Sequence, residues 1–378
     1  MIYLDNAATT RPNRRAVERA TEYLCDRFFN PSAYYKEGVA LKREIEGARE
    51  YLLSTIASKD EWKLVFTSCG TESDNQALFS FARRGNFVTT AGEHSAIYQT
   101  ANELKQRGID VRFAPLAPDG SVKREELLKL VDEKTSLVSV IHVNNETGAI
   151  NDVNALSKAV KAINPRAYFH SDGVQAFGKI PYRLGAGVDL YSFSAHKIGG
   201  LKGIGGLFVR KKAYNALRPF VFGGGQEDGR RSGTENVFGI CQLRYAAEEK
   251  FAALQEDYER IKGYSEDLFS LLSPSLFVRL SPQSGTPYIL LLSVPGVKGE
   301  VFLLILDDKG VLVGKGSACS SNSKNRFSRV LLSCGVKETV ADGVIRISFS
   351  PETTKDEIMQ AAKILNESAV ELKERMKA

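Results

Sequence analysis

One lysine follows an apolar, strand-like segment and lies among small polar residues. Val188–Phe193 is typical of a buried strand, and Ser194-Ala195-His196-Lys197 follows it directly. The glycine-rich run 199–206 then leaves the backbone conformationally free. An amine at a strand end, beside hydroxyls and an imidazole, can form a Schiff base with an aldehyde cofactor, and pyridoxal phosphate is the cofactor that uses this chemistry. Lys197 is therefore the first candidate catalytic residue.

Most lysines are solvated surface residues, so this interpretation depends on the polar residues at other strand ends. Gly70 and Thr71 open a predicted helix, where backbone amides and a hydroxyl suit a phosphate. Asp172 ends another apolar strand and can pair with a pyridine nitrogen, while Gln175 can reach the ring hydroxyl. Taken one at a time, many such residues are ordinary helix caps.

Two further polar residues extend the pattern. His94 lies at a strand-to-helix junction, where an imidazole can stack on a cofactor ring and move protons. Asn145 follows a strongly apolar strand. His142 and His170 lie within apolar strands and are expected to be structural. Because the carboxyl ends of parallel strands share one edge of a sheet, the candidate residues are expected to meet there.

The cysteines are few and scattered, with no zinc-ligand spacing, so we expect free thiols and no metal site. They are Cys25, Cys69, Cys241, Cys319 and Cys334. Cys319 lies in the small-residue loop 314–323, where neighbouring lysines favour the thiolate and the loop could carry it into a cleft. An exposed bystander thiol is the alternative. Cys25 and Cys334 fall on helical stripes and are expected to be buried, and Cys69 is expected to serve packing.

Strand-like and helical patterns alternate through the first part of the chain. Strands are predicted at 62–67, 86–90, 111–116, 137–143, 167–171, 188–193 and 206–209, with helices at 36–57, 72–83, 95–107, 124–132 and 154–163. Near-continuous apolar strands between helices indicate an α/β fold with a mostly parallel sheet that is covered on both faces.

The pattern changes after a long helix that is predicted at 242–272. Strands follow at 288–294, 310–313 and 344–349, and helices at 299–307, 326–334 and 355–376. We expect a large cofactor-binding domain over 13–255 and a smaller α+β domain over 256–378, on which residues 1–12 pack and which carries the Cys319 loop. Thr354 and Glu357 predict a capping box for the last helix.

Composition excludes some classes of protein. Of 378 residues, 43% are hydrophobic and 25% charged, as in ordinary globular domains, and the net charge of +6 is spread along the chain. Direct nucleic-acid binding is therefore not expected. No apolar run reaches membrane-spanning length and the first residues lack the order of a signal peptide, so a cytoplasmic protein without a membrane partner is predicted.

Together these motifs resemble the cysteine desulfurases, in the class V aminotransferase group of fold type I pyridoxal phosphate enzymes. The similarity runs from Tyr3–Thr10 to Arg346–Ser348. The motifs that carry it include Thr71-Glu72-Ser73, Glu93-His94, Val143-Asn144-Asn145-Glu146, Ser194-Ala195-His196-Lys197, Gly223-Gly224-Gly225-Gln226-Glu227, Arg231-Ser232-Gly233-Thr234 and Gly316-Ser317-Ala318-Cys319. The resemblance implies a seven-stranded, mostly parallel sheet and the short-loop group that serves iron–sulfur assembly and tRNA thiolation.

The resemblance also implies residue roles. It makes Lys197, His94 and Cys319 the catalytic set. The implied cofactor-binding residues are Gly70, Thr71, His94, Asn145, Asp172, Gln175, Ser194, His196 and Lys197, with Thr234 supplied by the partner subunit of a homodimer. Asn145 and Arg346 are implied to bind the substrate carboxylate. The implied reaction takes sulfur from L-cysteine, releases L-alanine and leaves a persulfide on Cys319 for an acceptor protein.

Some positions depart from the family pattern. Asn30-Pro31-Ser32 lacks the usual nearby histidine, Cys69-Gly70 replaces Gly-Ala, residues 171–174 differ around the aspartate, and Leu201 replaces a frequent proline. A selenocysteine lyase or another class V aminotransferase or lyase is the alternative enzyme. A non-catalytic scaffold or a nucleotide-binding protein is the alternative from another class, and the intact lysine, aspartate and histidine set argues against it.

Overall fold

The computed structural model describes residues 1–316 and 327–376. Its helices are α1 (Arg14–Ala20), α2 (Glu22–Cys25), α3 (Lys36–Ile56), α4 (Gly70–Phe81), α5 (Ser95–Gln106), α6 (Arg124–Lys129), α7 (Val153–Ile163), α8 (Lys211–Tyr214), α9 (Val237–Ala252), α10 (Leu254–Leu271), α11 (Gly299–Asp308), α12 (Arg329–Ser333), α13 (Glu338–Ala341) and α14 (Lys355–Arg375). Its strands are β1 (Ile2–Tyr3), β2 (Trp62–Thr67), β3 (Asn86–Thr90), β4 (Asp110–Ala114), β5 (Thr135–Ser139), β6 (Tyr168–Asp172), β7 (Leu190–Ser194), β8 (Gly205–Arg210), β9 (Val278–Arg279), β10 (Ile289–Ser293), β11 (Val311–Leu312) and β12 (Val344–Ser348).

The large sheet has seven strands in the order β2-β8-β7-β6-β5-β3-β4. Strand β8 runs antiparallel to both of its neighbours, and the other pairings are parallel. The reversal at β8 follows from its short connection, because residues 195–204 leave no room for a crossover helix after β7. The predicted α/β fold with a mostly parallel seven-stranded sheet is confirmed, and six of its strands deliver their carboxyl ends to one edge.

Helices cover both faces of this sheet, which explains the continuous apolar strands. Helix α3 buries Leu41, Ile45, Leu52 and Ile56 against one face. Helices α4 and α5 pack on the other face around Leu78 and Ile97. Strands β3, β7 and β8 are buried along their whole length as a result. None of the described helices combines the length and the apolar character that a bilayer span requires.

A second core surrounds an antiparallel sheet in the order β12-β10-β9. Its buried side chains come from β10, β12, α11 and α14, and Ile2 and Leu4 pack with them. Strand β1 pairs in parallel with β11, so the first residues of the chain lie on this second core. The domain division between residues 255 and 256 stays a prediction.

For the C-terminal elements, the structure contradicts one prediction and confirms another. The single helix predicted at 242–272 is wrong: α9 begins at Val237, and Ala253 separates it from α10. The predicted capping box is confirmed, because the Thr354 hydroxyl accepts from the Glu357 amide and the Glu357 carboxylate accepts from the Thr354 amide. Residue 326, where a helix was predicted to begin, lies outside the described residues, and α12 begins at Arg329.

Gly173, directly after β6, is required by the packing of Tyr191. A Cβ on Gly173 would lie 1.9 Å from Cζ of Tyr191. The Tyr191 ring is fully buried, and its hydroxyl is held by Nδ1 of His142 at 2.8 Å. The residues around Asp172, which depart from the family pattern, therefore belong to a tightly packed part of the core.

This packing predicts a non-additive pair of substitutions. Gly173→Ala should lower the free energy of unfolding by about 1–3 kcal/mol, because the added methyl overpacks a filled core. In a Tyr191→Leu background, the same change should cost much less, because leucine does not reach the position of Cζ. Urea unfolding of the four proteins measures the coupling. An equal cost in both backgrounds would contradict the packing argument.

Candidate active site

A cavity of about 430 Å³ lies at the carboxyl edge of the large sheet. Ten of the residues predicted from the sequence line it together: Gly70, Thr71, His94, Asn145, Asp172, Gln175, Ser194, His196, Lys197 and Arg346. Thr234 is exposed and lines a different pocket of its own chain. Cys319 lies outside the described residues. Shared strand ends thus bring most of the predicted set into one site.

Lys197 lies in a short 3-10 turn that follows β7 directly. Its Nζ donates to the backbone carbonyls of Ala7 and Ala8, each at 2.6 Å. The residues near the start of the chain therefore form one wall of the cavity and hold the amine at its end of the sheet.

The N-terminus of α4 forms an open cradle at one side of the cavity. A Cβ on Gly70 would lie 2.6 Å from Cγ2 of Val174, so this position has space only for glycine. The Ser194 hydroxyl is buried beside it without a hydrogen-bond partner among the described residues. Backbone amides at a helix start, together with an unsatisfied hydroxyl, suit a phosphate group.

Asp172 is buried at the end of β6, and its Oδ1 accepts from the backbone amide of Val174 at 2.9 Å. A carboxylate oxygen of Asp172, one of Asp74 and a ring nitrogen of His94 all lie within 4.8 Å of one another. Burial raises the pKa of both carboxyls, and Asp74 rises further because the charge of Asp172 repels its own. The neighbouring side chains of His94 and Lys197 oppose the rise at Asp172. Of the two carboxyls, Asp74 therefore has the stronger tendency to hold a proton.

Two imidazoles border the cavity. Nδ1 of His94 accepts from the amide of Ala96 at 3.2 Å and caps α5, so a neutral ring carries its proton on Nε2. Nδ1 of His196 lies 3.1 Å from the Thr9 hydroxyl. Burial, together with the nearby Lys197 charge, lowers the pKa of His196 to about 4. His196 is thus uncharged near neutral pH.

Arg346 projects from β12 into the cavity and is almost fully buried. Its guanidinium donates to the Asn145 carbonyl at 2.7 Å and to the Asp5 carboxylate at 2.8 Å. Its Nε is buried and has no partner among the described residues. Arg346 thus lines the cavity and has one donor for which the described residues supply no acceptor.

Several residues of the site were not predicted from the sequence. Asp5 lies inside a quoted motif but was given no role, although it holds Arg346. Asp74 lies four residues after Gly70 on α4, so helical spacing could have placed it on the same face. Arg329 donates to the carbonyls of Ala91 and Glu93, and its guanidinium lies 3.7 Å from the centre of the Tyr98 ring. No local signal marks Arg329.

The remaining histidines and cysteines have mixed outcomes. His170 is buried between the hydroxyls of Ser139 and Ser192, and His142 is buried beside Tyr191, so both are structural as expected. Cys334 is buried, as predicted. The prediction for Cys25 is wrong, because α2 is a single turn on the surface and leaves this thiol exposed. Cys69 is partly buried and lines the cavity.

Comparison with known proteins agrees with this geometry. The family described as Aminotransferase class-V matches residues 2–360. The cysteine desulfurase IscS of Dictyoglomus turgidum is 35% identical over 373 residues, which are 96% of this chain and 93% of that protein. A cysteine desulfurase of Trichormus azollae is 35% identical over 375 residues, 97% of this chain and 92% of that protein. The solved structure of a NifS-like protein has a TM-score of 0.91 at 35% identity and covers 98% of this chain and 100% of its own.

Fold and site together define an α/β enzyme with a lysine in a cavity at the carboxyl edge of its sheet. The chain belongs to the class-V aminotransferase family, whose members depend on pyridoxal phosphate, and its similarity to cysteine desulfurases extends over nearly its whole length.

Glu93 provides a pH-dependent prediction for this site. Its Oε1 accepts from the Thr90 hydroxyl and the Ile141 amide, while Oε2 is buried without a partner among the described residues. Burial raises the pKa of Glu93 from 4.5 to about 8. Between these values the folded protein holds a proton that the unfolded chain releases. The protonated Glu93 side chain therefore makes its full contribution to the free energy of unfolding below pH 4.5, and this contribution is lost as the pH rises to about 8.

Glu93→Gln mimics the protonated side chain and should remove this dependence. Between about pH 5 and pH 8, the free energy of unfolding of the variant should increase relative to that of the parent. The increase should be up to about 1.4 kcal/mol for each pH unit. Urea unfolding at several pH values measures the difference, in which the other titrating groups largely cancel. A difference that does not change with pH would show that Glu93 is ionised in the folded state.

Proposed function

We propose that this protein is a cysteine desulfurase. The observation that carries the proposal is the meeting of Lys197, Asp172 and His94 in one cavity with Arg346. The long, 35% identical alignments with cysteine desulfurases support it. In the proposed reaction L-cysteine and the thiol of Cys319 give L-alanine and a persulfide on Cys319, so that the carbon–sulfur bond of the substrate breaks and a sulfur–sulfur bond forms.

The cavity fits pyridoxal phosphate. Gly70, Thr71 and Ser194 would hold the phosphate, and the buried carboxylate of Asp172 would pair with the ring nitrogen. Lys197 would carry the cofactor aldehyde. When bound, the cofactor supplies an electron sink for negative charge at the substrate α-carbon. A protonated Asp74 beside Asp172 would leave a single negative charge facing the ring.

The chain's own groups would orient the substrate and move its protons. Nζ of Lys197 would take the proton from the substrate α-carbon, and Nε2 of His94 would be the donor for a second proton transfer to the substrate. The unpartnered Nε of Arg346, together with Asn145, would bind the substrate carboxylate. The Asp5 carboxylate would fix the plane of the guanidinium for that contact.

Chain length permits Cys319 to reach this cavity. Gly316 accepts a hydrogen bond from Arg346 at 3.4 Å, and Phe327, Ser328 and Arg329 line the cavity. Cys319 is three residues after Gly316, which corresponds to a reach of about 10 Å. We propose that its thiolate takes the substrate sulfur and passes it to an acceptor protein, either an iron–sulfur scaffold or a tRNA thiolation enzyme, in the cytoplasm.

Two substitutions separate the proposed roles of lysine and cysteine. Lys197→Ala should lower alanine formation from L-cysteine by about 10²–10⁴-fold, as expected for the loss of a catalytic acid–base group. Cys319→Ala should keep the absorbance of the bound cofactor but form no persulfide. The matched control is Cys25→Ala, which removes an exposed thiol far along the chain and should behave as the parent. Alanine and sulfide are quantified together, and undiminished persulfide on Cys319→Ala would refute the assignment.

We also propose a homodimer in which Thr234 completes the partner's phosphate site. Thr234 is exposed and outside the cofactor cavity of its own chain, and Phe28, Tyr34 and Phe222 present exposed aromatic side chains. An exposed threonine outside the site of its own chain, in a protein with exposed aromatic side chains, is suited to a contribution across an interface.

Hybrid dimers test this arrangement. Thr234→Ala should weaken pyridoxal phosphate binding by about tenfold, as for one lost hydrogen bond to a charged group. In a hybrid with a Lys197→Ala chain, the site that retains Lys197 should receive an intact Thr234 and regain the parent's affinity. If that site keeps the weakened affinity of Thr234→Ala, the threonine acts within its own chain.

A further inference from the structure

A second cavity of about 240 Å³ lies behind Lys197, between the two cores. Residues after β6, the junction of α9 and α10, Tyr288 and the segment after β12 line it. Lys197 lines both cavities and separates them. None of the roles proposed above uses this second space.

Lys179 is the first unusual feature of the second cavity. Its side chain is only 3% exposed, and its Nζ donates to Oε1 of Gln175 at 2.8 Å. No carboxylate lies within ion-pair distance of it in the described part of the chain. Burial and the positive charges of Lys197, Lys250 and Arg346 lower its pKa well below the usual range. An anion beside this amine would stabilise its protonated form, which burial among cations disfavours.

Tyr288 is the second unusual feature. Its side chain is 2% exposed and lines the cavity, yet its hydroxyl has no hydrogen-bond partner among the described residues. Lys250 passes 5.3 Å from the centre of the Tyr288 ring. A buried hydroxyl without a partner is as unfavourable as a lost hydrogen bond, so it indicates a polar group that the chain does not supply.

The acidic residues of this cavity are already engaged. Asp257 lies 2.6 Å from Arg260 and 3.3 Å from Lys250. Glu249 accepts from the Asn13 amide at 2.7 Å. At the exposed mouth, Glu352 lies 3.7 Å from Arg11. None of these carboxylates lies within ion-pair distance of Lys179 at the buried end.

The walls between that end and the mouth are apolar. They are formed by Ile198, Ala246, Phe349 and the stem of Lys250, and the first three are almost fully buried. A ligand that satisfies this shape has a negatively charged head and a short hydrocarbon body. Inorganic oxyanions lack the body, and neutral molecules lack the charge.

We propose that the second cavity is a binding site for a small organic carboxylate, whose oxygens are bound by Lys179 and the hydroxyl of Tyr288. The site is separate from the proposed reaction. The bound carboxylate would nevertheless influence it, because Lys179 also holds Gln175, and Lys197 is the shared wall. A negative charge on the far side of that wall would stabilise the protonated form of Lys197.

Calorimetric titration of the cofactor-loaded protein with butyrate, against sodium chloride of equal ionic strength, tests the proposal. Saturable binding at one site per chain is expected. Lys179→Met and Tyr288→Phe should each weaken it by at least about tenfold, because each removes a hydrogen bond to a charged group. The matched control is Lys262→Met, an exposed lysine of α10 outside the cavity, which should bind butyrate like the parent.

The variants also separate the two cavities. Tyr288→Phe removes one hydroxyl and should keep the parent's circular dichroism and melting temperature, so weakened binding would not reflect misfolding. Butyrate binding that survives both variants but is lost in Arg346→Ala would place the probe in the first cavity and overturn the proposal. Sulfate that binds as tightly as butyrate would overturn the assignment to an organic carboxylate. Neither result would alter the test of desulfurase activity, which measures alanine and persulfide.

Discussion

Residues 2–13 join the two cores of the molecule at the active-site cavity, and the geometry of the site depends on this contact. Their carbonyls and side chains bind the groups that would carry the chemistry. Ala7 accepts from both Lys197 and Gln175, and Asp5 binds Arg346. Because a buried backbone carbonyl needs a hydrogen-bond donor, residues 2–13 and the Lys197 amine fix each other's position. A displacement of residues 2–13 would therefore disturb the Lys197 amine, the Gln175 amide and the Arg346 guanidinium together.

The two ends of the active-site cavity differ in the charge of the side chains that line them. One end of the cavity gathers two buried carboxyls, and burial raises the pKa of both, further at Asp74 because of the charge of Asp172. The opposite side gathers amines, and there His196 is kept neutral by burial and by the lysine charges. Unsatisfied groups at Ser194 and at Nε of Arg346 are the places where a phosphate and a carboxylate would complete the hydrogen bonding.

The sequence predicted the large sheet well and the connections less well. Strands that are buried on both faces appear as continuous apolar runs, so β2 and β3 were predicted with their observed ends. The break at Ala253 was missed, because the helical apolar pattern continues across it and a change of axis over one residue leaves no periodic signal. The antiparallel direction of β8 likewise depends on how a short connection closes in space.

The sequence by itself determined the class of fold and most of the residues at the cavity. Polar residues that follow apolar strands are local signals, and a parallel sheet collects them at one edge whatever the details of packing. Only the tertiary structure decided the partners of those residues. Asp5 and Arg346 are 341 positions apart, and neither the buried Lys179 nor the hydroxyl of Tyr288 differs locally from an ordinary surface residue. Charge pairing and burial arise between distant segments, so their consequences appear only when those segments are packed together.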